Sequence, residues 1–295
     1  MEYTSRLLRT GPLPAFAITK RRLRPARNRQ RRKAALTHDL LTEVRNGIAH
    51  VTLNRPQARN ALTYDMYEGL ARYSQDIAQD PAVKVLVIRG AGDRAFAAGT
   101  DISQFLEFTS GADGIAYEEK LGTHLETLER CPKPVIAAID GACTGGGAGI
   151  ASVCDLRVAT RASKIGFPVA RTLGNCLSVK NLARMAALIG QSRVSELMFT
   201  ARLVSAEEGA AIGFLHEVVE DGTALTARID ELAQAVAALA PLTLAATKEQ
   251  LRRLREGMTA HVEDDDLVRM CFGSEDFRNG VKAFVARKPP VWSGR

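Results

Sequence analysis

With 295 residues, 46% of them apolar and 25% charged, the chain is long enough for one large core or two domains and has the composition of an ordinary globular protein. No apolar run approaches the ~20 residues of a membrane helix. Five scattered cysteines without metal-ligand spacing argue against a disulfide framework and for a reducing compartment. The net charge of +7 is uneven: residues 1–38 hold eleven Lys/Arg against one acid, and the remainder is mildly acidic at −3.

The basic block from Arg21 to Lys33 reads as an organellar targeting peptide, as an arm for nucleic acid or a membrane surface, or, most simply, as a disordered solvated tail or an over-long start of the reading frame. No function is drawn from it. Folded sequence is expected from about Leu40. Asn46-Gly47 marks a hairpin turn that leads into Ile48, Val51 and Leu53. Thr63 reads as the N-cap of a helix carrying Met66, Leu70, Tyr73 and Ile77, stopped at Asp80-Pro81. Val83 to Ile88 is a strand. Ile102 to Gly114 is glycine-punctuated and reads as a loop or short helix, with a longer helix from Tyr117 to Arg130.

Strand Val135 to Ile139 then runs into Gly141 and the triplet Gly145 to Gly147, followed by a small-residue helix and Cys154-Asp155. A glycine-rich helix start exposes backbone N–H groups, and with the helix dipole these favour negative charge. Short strands are expected at Leu156 to Ala159 and Lys164 to Phe167, and a loop at Thr172 to Ser178. Helices follow over Val179 to Ile189, Ser192 to Phe199 and Ala206 to Ala211, with Ser205 and Glu208 as a capping box. After a strand at Leu215 to Val219 the chain is helical: Thr226 to Leu239, Leu242 to Arg255, Val262 to Cys271 and Glu275 to Ala286. The alternation of strands and helices predicts an α/β protein.

AFAAGTD (Ala95 to Asp101) and GACTGGGAGIASVCD (Gly141 to Asp155), with LNRPQARNAL, KPVIAAIDG and SEDFRNGVKAFVARKPPVW in order around them, resemble the crotonase family, also called the enoyl-CoA hydratase/isomerase family. The resemblance spans about residues 42 to 292. It implies a repeated ββα spiral core and a helical C-terminal region. The corresponding organisation is a basic extension or non-native start over 1–39, a core over 40–225 and a trimerisation region over 226–295. It implies an acyl-CoA thioester as substrate, with coenzyme A as part of it, no tightly bound cofactor and no metal. A homotrimer or a dimer of trimers is implied, with no nucleic acid bound by the folded body. The class is lyase or isomerase, in the cytoplasm, or in an organellar matrix if the tail is a targeting peptide.

By motif position, backbone N–H groups of Thr100 and Gly146 form an oxyanion hole for a thioester enolate, and fixed donors that act only as charge develops are effective catalysts. Side-chain identity is expected to matter little at Thr100 and greatly at Gly146. Arg55 and Arg59 are expected near the nucleotide phosphates, with Ala97, Gly99, Asp101 and Ile102 beside the cofactor end of the substrate. Phe284 and Trp292 are either lid residues or C-terminal packing.

Hydration needs an acid and a base, and the family's two hydratase glutamates fall here at Gly149 and Val169, which move no proton. Carboxylates of other branches are missing too, at Ser178 and across Gly174 to Ser178. The proton-transfer residue is therefore open. His124, Glu126 and Ser178 are the candidates; Glu118, Glu119, Glu126 and Glu129 lie on the helix that can line the acyl pocket, where one could reach in, with a solvated helix face as the default. Asp101 reads as a cap, Asp140 as a turn residue, Asp155 as a backbone anchor. Arg171 could grip a substrate carboxylate, and Cys143 and Cys176 read as core. The alternatives to a hydratase are a non-hydratase CoA-thioester enzyme, an isomerase or hydrolase, and a catalytically degenerate acyl-CoA-binding protein.

Overall fold

A computed structural model describes residues 38–295; the readings of the basic stretch fall on residues outside these. Strands β1 (Leu40–Arg45) and β2 (Ile48–Leu53) form the expected hairpin, with Asn46 and Gly47 both at positive φ. Helix α1 (Tyr64–Ala78) starts where the Thr63 hydroxyl accepts from the Met66 N–H. Then follow β3 (Val85–Gly90), β4 (Ala95–Ala97), α2 (Gly111–Glu129), β5 (Val135–Ile139), β6 (Ala142–Thr144), α3 (Gly146–Val153), β7 (Leu156–Thr160), β8 (Lys164–Gly166) and α4 (Val169–Thr172). After them come α5 (Val179–Ile189), α6 (Gln191–Thr200), β9 (Val204–Ser205), α7 (Ala206–Ala211), β10 (Glu217–Val219), α8 (Gly222–Ala237), α9 (Pro241–Thr259), α10 (Asp265–Phe272) and α11 (Glu275–Val285).

The unit "strand, strand, helix" occurs three times, and in each the two strands enter different sheets. β3, β5 and β7 belong to a six-stranded sheet of order β1-β2-β3-β5-β7-β10, parallel except for the β1–β2 hairpin. β4, β6 and β8 belong to a smaller sheet of order β4-β6-β8-β9, parallel except at its β9 edge. This is the ββα spiral. The large sheet is buried on both faces, which is why Val85 to Ile88 reads as a continuous apolar run. One face meets Leu225, Ile229 and Ala233 of α8; the other joins the main core with Leu70 of α1 and Leu125 of α2.

Three boundaries differ from the sequence reading. Helix α2 begins six residues earlier than Tyr117, capped by a reciprocal Ser110–Asp113 pair. Its glycines are notches, not loop punctuation: a Cβ on Gly111 would lie 2.4 Å from the Arg269 carbonyl oxygen, and one on Gly114 2.3 Å from Phe272 Cβ. These notches let α10 cross α2 closely. Helix α8 also starts early, where Asp221 caps Thr223 and Ala224, and Pro168 opens a short helix, α4, at Val169.

The helical C-terminal region folds back on its own chain, with Phe272 and Phe277 in the main core. Among the described residues no single helix is long and apolar enough to cross a membrane; α8 and α9, which combine the length and apolarity only as a pair, meet at 102°.

The α2–α10 crossing gives a stability test. Gly114→Ala forces a methyl into Phe272, and overpacking of this kind costs about 1–3 kcal/mol, to be read as a lower urea midpoint with unchanged slope.

Candidate active site

The small sheet builds the site from the ends of its strands. β4 and β6 are parallel neighbours, with Ala95 opposite Ala142 and Ala97 opposite Cys143. Their C-terminal ends therefore emerge side by side, followed by Gly99-Thr100 and Gly145-Gly146. Both Gly99 and Gly145 have positive φ, 116° and 51°, which a side chain would strain. A Cβ on Gly145 would sit 3.4 Å from the Gly99 Cα, so the two turns are in contact. Gly147 presses equally close on β4, leaving 2.2 Å between its would-be Cβ and the Ala97 carbonyl oxygen.

Backbone geometry aims the donors. Leu62 forms a parallel bridge to Thr100, donating to the Gly99 carbonyl at 2.8 Å and accepting from the Asp101 N–H at 2.8 Å. In such a bridge the residue between those two contacts turns its own N–H away from the bridging strand, and Gly146 lies beside Thr100, a Cβ on it falling 2.9 Å from Thr100 Oγ1. Gly146 opens α3, so its N–H is one of the helix's orphan donors. Among the described residues neither N–H has a protein acceptor. Both residues line a cleft of about 1180 Å³.

The Thr100 side chain is not idle, contrary to the sequence expectation. Its hydroxyl is buried between two phenols, 3.0 Å from Tyr67 Oη and 3.0 Å from Tyr117 Oη. Burial pushes both phenol pKa values up, so all three hydroxyls stay neutral. Gly146 faces the same group: a Cβ there would lie 1.9 Å from Tyr67 Oη.

The cleft mouth is basic, but not as expected. Arg59 lines it, together with Arg94, Arg287 and Lys288, all exposed and none singled out from the sequence beyond Arg59. Arg55 does not. Its guanidinium is spent on Asp101 at 2.9 Å and the Ala61 carbonyl at 2.6 Å, a clamp on the loop below the site. Asp101 lines the cleft but caps Ser103. Burial raises its pKa, but hydrogen bonds from Ser103 and Arg55 outweigh this and hold it below the usual range. Ile102 and Gly99 line the cleft; Ala97 is fully buried in β4, and Ala98 takes its place. Phe284 lines the cleft, whereas Trp292 packs against Gly174.

The acid–base candidates need correction. Tyr117, Glu118, Leu121 and Leu125 form the cleft-facing stripe of α2. Each helical step turns about 100°, so His124 and Glu126 diverge to either side of Leu125. Glu126 pairs with Lys180 at 2.7 Å; burial lifts its pKa, but Lys180 overrides this and lowers it. His124 sits beside Lys120 and Glu68, with its pKa lowered mainly by burial and its Nε2 buried without a partner. Ser178 does not line the cleft, and its hydroxyl accepts from Asn181 at 3.1 Å. Arg171 is exposed and off the cleft. Asp155 anchors the Val135 N–H at 2.7 Å, and Asp140 accepts from Thr160. Cys143 and Cys154 are core thiols with pKa values pushed up by burial.

Of the four glutamates on this helix, Glu118 is the one that reaches the cleft. It is 7% exposed and lines the cleft. Its Oε2 accepts from the Ser178 N–H at 3.3 Å and Asn181 Nδ2 at 3.5 Å. Burial raises its pKa, those hydrogen bonds oppose the rise, the Asp264 carboxylate adds to it, and the result is about 7. Asn175, on the loop after Gly174, also lines the cleft, with its Oδ1 buried and unpartnered. Gly149 and Val169 complete the wall as apolar positions.

Residues 43–295 match the family model described as enoyl-CoA hydratase/isomerase. The chain is similar to a short-chain-enoyl-CoA hydratase of Clostridium acetobutylicum, 31% identical over 259 residues that cover 85% of this chain and 96% of that protein. It is 32% identical over 265 residues to an enoyl-CoA isomerase/hydratase, fer4, of Mycosarcoma maydis, covering 84% and 93%. A solved methylmalonyl-CoA decarboxylase in complex with 2-nitronate-propionyl-CoA superposes with a TM-score of 0.78 at 27% identity, over 87% of this chain and 98% of that one.

The Glu118 environment predicts a pH-linked stability change. Its folded pKa of about 7 lies above the unfolded value of 4.5. The folded state therefore holds the proton more tightly, and stability is lost as pH rises through that interval. Glu118→Gln, which never ionises, gains on the wild type between about pH 4.5 and 7. At roughly 1.4 kcal/mol per unit, the gain approaches a ceiling of about 3 kcal/mol. Thermal melts at pH 4.5 and pH 8 measure it.

Proposed function

Because the chain belongs to the enoyl-CoA hydratase/isomerase family, we propose that it binds an acyl-CoA thioester in the cleft below the small sheet and stabilises its enolate through the backbone N–H groups of Thr100 and Gly146. Its class is that of a lyase or isomerase acting on CoA thioesters, as its named relatives are hydratases and isomerases. The observation that carries the reading is the contact of the two glycine turns, which leaves two unmatched backbone donors together at one wall of a deep cleft. Such donors cost no reorganisation when charge appears on the thioester oxygen.

The mouth supports the same reading. Arg59, Arg94, Arg287 and Lys288 suit the phosphates of coenzyme A. In the family the hydratase carboxylates correspond to Gly149 and Val169, so water addition by the usual pair of glutamates is disfavoured. A catalytically degenerate acyl-CoA binder is the second reading, and Glu118 weighs against it, since a buried carboxylate inside the cleft is costly to keep without use. The compartment is cytoplasmic or, with a targeting tail, an organellar matrix.

A homotrimer or dimer of trimers fits the exposed surface. Leu251, Leu254 and Met258 are 62–76% exposed at spacings of three and four on α9, the pattern of a helix face awaiting a partner. Light scattering should report three or six copies, and Leu254→Glu should lower that number.

The oxyanion reading is tested at Gly146. Gly146→Ala places a methyl against Tyr67 Oη and displaces the donor. Turnover should fall about 100-fold or more, as when one oxyanion donor is removed, with the near-ultraviolet circular dichroism spectrum confirming the fold. Unchanged turnover and acyl-CoA binding in a folded variant would defeat the proposal.

A further inference from the structure

The glutamate on α2 does more than tolerate burial. We propose that Glu118 is the catalytic acid–base residue of this cleft, carrying one proton between two carbons of an unsaturated acyl-CoA. The inference rests on the CoA-thioester reading above.

Elimination comes first. Among the described residues that line the cleft, Asp101 and Glu118 are the only carboxylates, and no histidine or cysteine joins them. Asp101 is pinned by Arg55 and by the Ser103 cap. Tyr117 lines the cleft, but its hydroxyl is tied to Thr100 and its pKa is raised well above the usual value by burial. Glu118 is the remaining group that exchanges a proton near neutrality.

Its setting is that of a positioned group. Ser178 N–H and Asn181 hold Oε2, the Ser178 hydroxyl also bonds the carboxylate, and neither oxygen is a sealed, unsatisfied atom. The Asn181 amide has one possible orientation. Its Oδ1 accepts from Arg184 Nη1 at 3.0 Å, and a guanidinium only donates, so Nδ2 must face Glu118. Arg184 is fixed in turn by a buried pair with Glu129 at 3.2 Å. No Lys or Arg of the described residues pairs with Glu118 itself. A structural carboxylate this buried would ordinarily have a cation.

The groups facing Glu118 decide its pH behaviour. Asp264, at the same end of α5, pushes its pKa up; Tyr67 and Tyr117 stay neutral; Cys176 lies near on the loop after Gly174; Arg184 acts from behind Asn181. The outcome of about 7 lets the residue serve as base and as acid in one cycle.

One carboxylate suits a proton shift. The ionised Glu118 takes a proton from C2 of a 3-enoyl thioester. That C–H pair becomes the C1–C2 double bond, and the charge moves to the thioester oxygen at the Thr100 and Gly146 N–H groups. The carboxylic acid then returns the proton to C4. The C3–C4 π pair forms the new C–H bond, the C1–C2 pair moves to C2–C3, and the thioester carbonyl is restored. No water or second reactant is consumed.

The probes are hex-3-enoyl-CoA, followed by the absorbance of the conjugated product, and butyryl-CoA in D₂O, followed by deuterium at C2. Calorimetry with butyryl-CoA reads binding separately. The expected result is a wild-type rate that rises with pH through about 7. Glu118→Gln should bind within about threefold of wild type and lose about 100-fold or more in both reactions. Glu118→Asp, as the second variant, should recover part of that loss, with thermal melts confirming both folds. A folded Glu118→Gln that keeps more than about a tenth of either rate overturns the assignment. So does a wild type that binds butyryl-CoA but exchanges nothing, or one that hydrates hex-2-enoyl-CoA faster than it shifts hex-3-enoyl-CoA. A wild type that binds no acyl-CoA defeats the underlying reading instead, and this proposal with it.

Discussion

Everything at the site depends on the parallel pairing of two three-residue strands, β4 and β6. Each is too short to be stable alone. They are held by what surrounds them. Buried Asn60 donates to the Ala91 and Ala95 carbonyls at the start of β4, the Gly145 N–H reaches the Gly166 carbonyl at the end of β8, and Gly147 lets α3 close onto Ala97. The pairing register turns a separation of nearly fifty residues in sequence into contact between Gly99 and Gly145. A one-residue slip would rotate the donors to the wrong side.

Two carboxylates of the described residues line the cleft and their surroundings drive them apart. Asp101 lies near the basic mouth, meets a guanidinium and stays ionised. Glu118 pairs with no Lys or Arg among the described residues, and a second acid, Asp264, shares the N-terminal end of α5. The same residue class thus gives a structural anchor at one end and a titrating group at the other. For the proposed ligand, a polyanionic end would lie at the mouth cations and an apolar chain against Leu121, Leu125 and Phe167.

Much of the fold was legible because it rests on local rules. Thr63, Ser205 and the Asn46-Gly47 turn all behave as their side chains dictate. The start of α2 was missed because Gly111 and Gly114 were read by backbone freedom, although their reason is contact with α10, which no local window contains. The Ser110–Asp113 capping box was the available signal. At the site, the glycine turns were legible because positive φ and close backbone approach both call for glycine. Glu118 was not, because four glutamates on one helix look alike until the neighbouring helices arrive. Glu126 meets Lys180, Glu129 meets Arg184, and Glu118 meets amides and the cleft. Arg55 was misread for the same reason: a guanidinium on a surface loop and one clamped beneath a site share a sequence signature.

The division of labour in the cleft follows from which atoms do which task. On the proposed reading, polarising the thioester falls to main-chain N–H groups, which substitution at most positions leaves in place. Moving the proton is assigned to a side chain, which can be removed from one wall and supplied from another. The wall at Gly149 is open, its would-be Cβ meeting only Leu125 Cδ1 at 3.7 Å, and the carboxylate stands on α2 instead. A scaffold built this way holds enolate stabilisation constant while the proton carrier changes place. That is consistent with relatives of this chain being named for hydration, isomerisation and decarboxylation on one fold. On that reading a cleft with glycine at 149 and valine at 169 need not be inert, since among the described residues Glu118 lines another wall of it.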